Sequence, residues 1–245
     1  MKLHKTSEAG AFIMKGDIMK EFFIGSVPAA LYGERSERVF IYVHGLFGSH
    51  RDAEGFAQSA GENGWQVLAV DLPGHGGRTD GAELLPWVAV PELHDVMRYA
   101  QENWKHISVY AVSIGAWLSM QAFGGQAEKC LLLSPLVDME GFIRRSMAQN
   151  GVSEERLHAE REVAIPNGQP LSWDYFVYAC ENPAHAICPD THIFFGENDE
   201  ITPRVVMERF AVDNKCGLTM LENAAHWIHT EDELRRLRAW ERQFI

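Results

Sequence analysis

Val109-Tyr110-Ala111-Val112-Ser113-Ile114-Gly115-Ala116 is an apolar run that meets a serine and passes at once into a helical pattern. Such a junction suits a sharp strand-to-helix turn that lifts a hydroxyl clear of the sheet. The turn brings the strand and helix backbones close, so the residues two before and two after the serine must be small. Ala111 and Gly115 meet that demand, with alanine where the usual pattern has glycine. Taken alone, A-x-S-x-G arises often by chance. Its weight depends on the rest of the chain.

Four further apolar runs end in loops rich in polar residues and glycine. Val39–Val43 ends in His44-Gly45-Leu46-Phe47-Gly48-Ser49, and Val67–Val70 ends in Asp71-Leu72-Pro73-Gly74-His75-Gly76. His192–Phe195 ends in Gly196-Glu197-Asn198-Asp199, with Thr202-Pro203 beyond, and Leu218–Leu221 leads through Glu222-Asn223-Ala224-Ala225 to His226. In these motifs and their order the chain resembles the α/β-hydrolase superfamily, from about residue 20 to its end. The resemblance implies an α/β fold with a mostly parallel central sheet flanked by helices. It also implies a hydrolase core in residues 19–134 and 191–245, and the serine, acid, histidine order Ser113, Asp199, His226. Residues 135–190 are longer than a crossover needs. By the same resemblance they form a small helical cap; the alternative is a helical elaboration packed away from the site.

The chain has 245 residues, enough for one α/β domain with a well-buried core. A formal net charge of −12 argues against nucleic acid, whose phosphates require a basic face. No apolar run is long enough to span a membrane, and residues 1–20 lack the continuous apolar core of a secretory signal. Residues 1–18 are expected to form an N-terminal extension, disordered or preceding a second start at Met19. The four cysteines show neither C-x-x-C spacing nor a disulfide framework, so a cytoplasmic protein is expected.

Alternation of short apolar runs with amphipathic segments is the pattern of a helix-covered parallel sheet. Phe22–Ile24 and Ala29–Tyr32 predict an opening hairpin. A helix is expected over Arg51–Glu62, with Ala53, Phe56, Ala57 and Ala60 on one face and Gly64 closing it. Another is expected near Glu92–Trp104. Thr202 reads as an N-cap, and Thr230 with Glu233 as a capping box. The last helix should turn Leu234, Leu237, Trp240 and Phe244 inward, with Glu231–Arg235 and Asp232–Arg236 pairs outside. Within 135–190, helical patches fall at 139–149, 153–162 and 172–181.

A serine hydroxyl attacks a carbonyl only when a base removes its proton. His226 is the expected base and Asp199 the carboxylate that fixes its tautomer. The developing oxyanion needs donors, and the backbone N–H groups of Ile114 and Leu46, with Phe47 as the alternative to Leu46, are placed to supply them. Ser134, Asp138, Glu197, Glu200 and His229 are the rivals for these roles; Ser134 is expected to be a satisfied loop hydroxyl. Phe47, Trp173, Trp227, Met139 and Phe142 are the candidate pocket residues, although aromatics of 171–178 would equally pack a cap onto its core. His44, His75 and Asp71 are expected to order their loops, and neither a metal site nor a cofactor is expected.

The chemistry expected is hydrolysis of a small-molecule carboxylic ester by a serine hydrolase. A thioesterase, or a C–C hydrolase or lyase with Arg51, Arg78, Arg144 or Arg145 reading a substrate carboxylate, is the alternative. A low-turnover ligand-binding or signalling protein is the alternative of another class. Oligomeric state is not legible.

Overall fold

Gly25, at φ 61°, lets the chain reverse between β1 (Met19–Ile24) and β2 (Val27–Tyr32), which pair antiparallel with Ile24 opposite Val27. A computed structural model describes residues 19–166 and 169–245, and the expected extension, residues 1–18, lies outside them. β3 (Arg38–Val43) leads into a 3-10 turn (His50–Ala53) and α1 (Glu54–Glu62), then β4 (Gln66–Val70). α2 (Pro86–Asn103), β5 (His106–Val112), α3 (Ile114–Ala122) and β6 (Lys129–Leu133) follow. Between β6 and β9 the chain forms α4 (Met139–Gln149), α5 (Glu154–Glu160), the short pair β7 (Glu162–Val163) and β8 (Leu171–Ser172), and α6 (Trp173–Glu181). β9 (Thr191–Gly196), α7 (Arg204–Asn214), β10 (Gly217–Leu221) and α8 (Glu231–Phe244) complete the described chain. No helix among the described residues is long and apolar enough to cross a membrane.

The eight-stranded sheet runs β1-β2-β4-β3-β5-β6-β9-β10, antiparallel through β1 and β2 and parallel from β4 to β10. This is the α/β-hydrolase arrangement. Parallel strands covered on both faces carry unbroken apolar runs, and Val39–Val43, Val67–Val70 and Cys130–Leu132 are buried throughout. One face packs under α2, α3 and α7 through Leu93, Met97, Trp117 and Phe210. The other packs under α1 and α8 through Phe56, Tyr110, Leu237 and Trp240. Every parallel strand therefore delivers its C-terminal loop to one edge, where open α/β sheets place their ligands.

Several local expectations shift. α2 begins at Pro86, six residues before the expected start, and runs through Pro91. Pro86 suits the first helical position, and burial of Ala89, Val90, Leu93, Val96 and Met97 outweighs the broken backbone bond at Pro91. Thr202 does not cap α7: its hydroxyl donates to the Pro135 carbonyl at 3.1 Å, and Pro203 precedes the helix. In α8 the Thr230–Glu233 capping box forms, but Asp232 takes both Arg235 and Arg236, so no Glu231–Arg235 pair forms. Leu234 is exposed, and the inward stripe is completed instead by Glu241.

Glu241 is fully buried, accepting from the Tyr110 hydroxyl at 2.8 Å and from Arg238 Nη1 at 2.9 Å. Burial pushes its carboxyl above the usual range, opposed by Arg238 and Tyr110. A carboxyl with a raised folded pKa stabilises the fold fully below its unfolded value of about 4.3, and that contribution is lost as pH rises through the folded value. Glu241→Gln should therefore flatten the decline of Tm as pH rises above the unfolded value of about 4.3. Parallel Tm curves for the two proteins would contradict this.

Candidate active site

Ser113 sits between β5 and α3 at φ 50° and ψ −120°, a conformation that L-residues rarely adopt. Its N–H donates to the Leu133 carbonyl at 3.1 Å, which ties the turn to the neighbouring strand. The two flanking small residues behave differently. A Cβ on Gly115 would overlap the His44 carbonyl oxygen and lie 2.8 Å from that of Val43. Ala111 is fully buried, and its methyl is accommodated in the strand.

The turn presents Ser113 Oγ to His226 Nε2 at 2.9 Å, and His226 Nδ1 donates to Asp199 Oδ2 at 2.7 Å. The other Asp199 oxygen accepts from the backbone N–H groups of Ile201 and Thr202 at 2.8 and 2.9 Å. The Asp199 carboxylate is fully buried. An ionised Asp199 accepts only, so the histidine proton resides on Nδ1 and Nε2 is left to accept from the serine.

The rivals are occupied elsewhere. Asp138 caps α4 by accepting from the Gly141 N–H, and Glu197 pairs with Arg204. Glu200 accepts from the backbone N–H of His226, and His229 donates to the Trp227 carbonyl. Ser134 departs from expectation: its Oγ is buried and without a hydrogen-bond partner among the described residues. Its backbone is left-handed, at φ 42°, and the residue borders the cavity described below.

The loop after β3 is held by its own histidine. His44 Nδ1 donates to the Gly45 carbonyl at 2.7 Å, and Nε2 accepts from the Leu72 N–H at 3.0 Å. Burial holds the His44 pKa below the usual histidine value, as this neutral tautomer requires. Asp71 accepts from the N–H groups of His50 and Gly77 and so joins the two loops, while His75 Nδ1 donates to the Pro73 carbonyl. A Cβ on Gly45 would lie 3.3 Å from Ser113 Cβ, so the loop passes directly beside the serine. The N–H groups of Leu46, Phe47 and Ile114 donate to no protein acceptor among the described residues.

Ser113 and His226 open into a cavity of about 1280 Å³. Leu46, Ile114, Phe47, Trp227, Met139 and Phe142 all line it. Phe47 and Trp227 are 88% and 74% exposed, so they form its rim rather than its floor. Trp173 does not line it and packs instead on His158 and Phe176, with ring centroids at 4.7 and 5.7 Å. Positions 173 and 176 share one face of α6, whereas Ser172 and Tyr175 on the next face border the cavity. Tyr42 and Tyr110 also border it, unanticipated from the sequence. The available signal was two polar-tipped aromatics within otherwise aliphatic strands.

Residues 40–240 match the model of the Alpha/beta hydrolase family. No curated protein matches the sequence. Among solved structures, the chain is similar to Est1E of Butyrivibrio proteoclasticus with ferulic acid bound, at 19% identity and TM-score 0.72, over 92% of this chain and 97% of that one. It is similar to mouse alpha/beta hydrolase domain-containing protein 10 at 13% identity and TM-score 0.70, over 91% and 96%. A monoacylglycerol lipase of Paleococcus ferrophilus matches at 16% identity and TM-score 0.62, over 92% and 99%. Identities this low speak to the fold alone.

Proposed function

The chain belongs to the alpha/beta hydrolase family, and from that premise we propose that it is a serine hydrolase cleaving carboxylic esters of small or medium apolar substrates. The observation that carries this reading is the relay from Ser113 through His226 to a buried Asp199, at 2.9 and 2.7 Å, opening on a largely apolar cavity. Est1E holding ferulic acid and the Paleococcus ferrophilus lipase give it support by analogy of fold.

In this reading Ser113 Oγ bonds to the ester carbonyl carbon while its proton passes to His226 Nε2. The carbonyl oxygen, now negative, is held by the N–H groups of Ile114 and Leu46. The carbon–oxygen bond to the alcohol then breaks, and His226 returns its proton to the departing oxygen. Water repeats the sequence on the acyl-enzyme and releases the acid. Asp199 stabilises the imidazolium formed in each half-reaction. Residues 135–190 serve as a cap, with Met139, Phe142 and Tyr175 closing one side of the cavity over the acyl group. The four free thiols are in keeping with a reducing, cytoplasmic location.

Turnover of p-nitrophenyl esters from acetate to decanoate, by the wild type and Ser113→Ala side by side, tests the proposal. Multiple turnover that disappears in the variant is expected, with a chain-length optimum that sizes the acyl pocket. Absence of Ser113-dependent turnover on every ester would overturn it. Arg145 favours a second reading, a C–C hydrolase or lyase acting on a carboxylate-bearing substrate. It alone of the four candidate arginines lines the cavity, where it lies 3.8 Å from Asp138 and donates to the Ile201 carbonyl at 2.9 Å. Turnover of such a substrate in preference to esters would select it.

A further inference from the structure

The cavity is lined from both faces of the sheet, and its two sides differ in chemistry. Toward the insertion it meets Leu136, Met139, Phe142 and Ile143. Toward α1 and α8 it meets Tyr42, Asp52, Tyr110, Arg238 and Glu241, a polar group set in an otherwise apolar core. Tyr42 and Tyr110 lie side by side in register on β3 and β5, with rings stacked at 5.2 Å and 13°. The Tyr110 hydroxyl is spent on Glu241. The Tyr42 hydroxyl is not: the residue is 5% exposed, borders the cavity and makes no side-chain hydrogen bond among the described residues.

Glycines make room for this group. Asp52 lies so close to Gly48 that a Cβ there would overlap its Oδ2, which sets the carboxylate against the loop that carries Leu46. The Arg238 guanidinium likewise lies against Gly55 of α1. Trp227 and Ile228, directly after His226, wall the same side. A leaving oxygen takes its proton from His226 Nε2, so the alcohol half of an ester fits on this side and the acyl half on the other.

We propose that the chamber bounded by Tyr42, Asp52, Arg238 and Glu241 is a subsite for the leaving alcohol, selecting alcohols that carry a further hydroxyl; this rests on Ser113-dependent ester hydrolysis. A hydroxyl both donates and accepts, which matches a mixture of an acceptor carboxylate, a donor guanidinium and a phenol able to do either. A carboxylate would face Asp52 and Glu241. An alkyl alcohol would leave the Tyr42 hydroxyl unpaired and cut off from water.

The experiment compares kcat/KM for glycerol 1-butyrate and propyl butyrate, which share one acyl-enzyme and differ only in two hydroxyls of the alcohol. The wild type should prefer the glycerol ester by roughly tenfold, and Tyr42→Phe should bring the ratio to about two or below. Glu241→Gln provides a second variant, expected to reduce the ratio in the same direction. A wild-type ratio near one, or a ratio retained in both variants, overturns the proposal. Ser113-dependent turnover of p-nitrophenyl butyrate beside a ratio near one leaves the esterase reading standing and removes the subsite alone. Failure of all three esters removes both.

Discussion

His226→Gln should lower kcat for ester hydrolysis by on the order of 10⁶, Ser113→Ala should lower it as far, and the double variant should be no worse than either. The serine hydroxyl and the imidazole form one device: the proton that leaves Oγ has Nε2, 2.9 Å away, as its acceptor. Once either end is missing the other has nothing to do, so their losses do not add. What survives should be the contribution of the backbone donors and of binding, roughly 10³–10⁴ above water. Steady-state rates of the two single variants and the double variant on p-nitrophenyl butyrate decide the matter. Independent losses that multiply in the double variant would show that Ser113 and His226 act in separate steps.

The parts of this site that are local in sequence were the parts that could be read there. Each parallel strand announces itself as an apolar run, and each run ends in a loop whose glycines and polar residues stand out against it. Ser113, Asp199 and His226 each follow such a run, and their order is what the family resemblance implies; that they lie within hydrogen-bond distance is a property of strand order, which no local pattern contains. Choice among neighbouring acids was also non-local. Asp199 and Glu200 are adjacent, and only the fold turns one to His226 Nδ1 and the other to the His226 N–H.

Helix phase in the insertion was the weak point. Trp173 and Tyr175 belong to one aromatic stretch, and two positions along a helix separate the pocket side from the packing side. Glu241 was hidden for another reason. A glutamate in a charged terminal helix reads as solvated, and its burial depends on Tyr110 and Arg238 arriving from residues 131 and 3 positions away. The early start of α2 was obscured by Pro91, whose local cost is outweighed by tertiary burial.

Gly115→Ala should prevent the native elbow from forming, and in any folded fraction should depress Tm by roughly 10 °C, from about 3 kcal/mol or more of overpacking. The residue falls in the first turn of α3, where alanine would ordinarily be the better helix former. Propensity therefore predicts a stabilising change, and sterics the reverse. Sterics should win because the atoms in the way are main-chain carbonyls of Val43 and His44, at the end of a central strand, and not the far end of a flexible side chain. Relief would require β3 or α3 to shift, and β3 is fixed in register by β4 and β5 on either side. The same shift would move Gly45, whose position sets the loop beside Ser113, so activity should fall further than the folded fraction does. Thermal unfolding of the variant, together with active-site titration of its soluble fraction by a fluorophosphonate, separates the two effects. A variant as stable and active as the wild type would mean that the elbow has more room than its backbone allows.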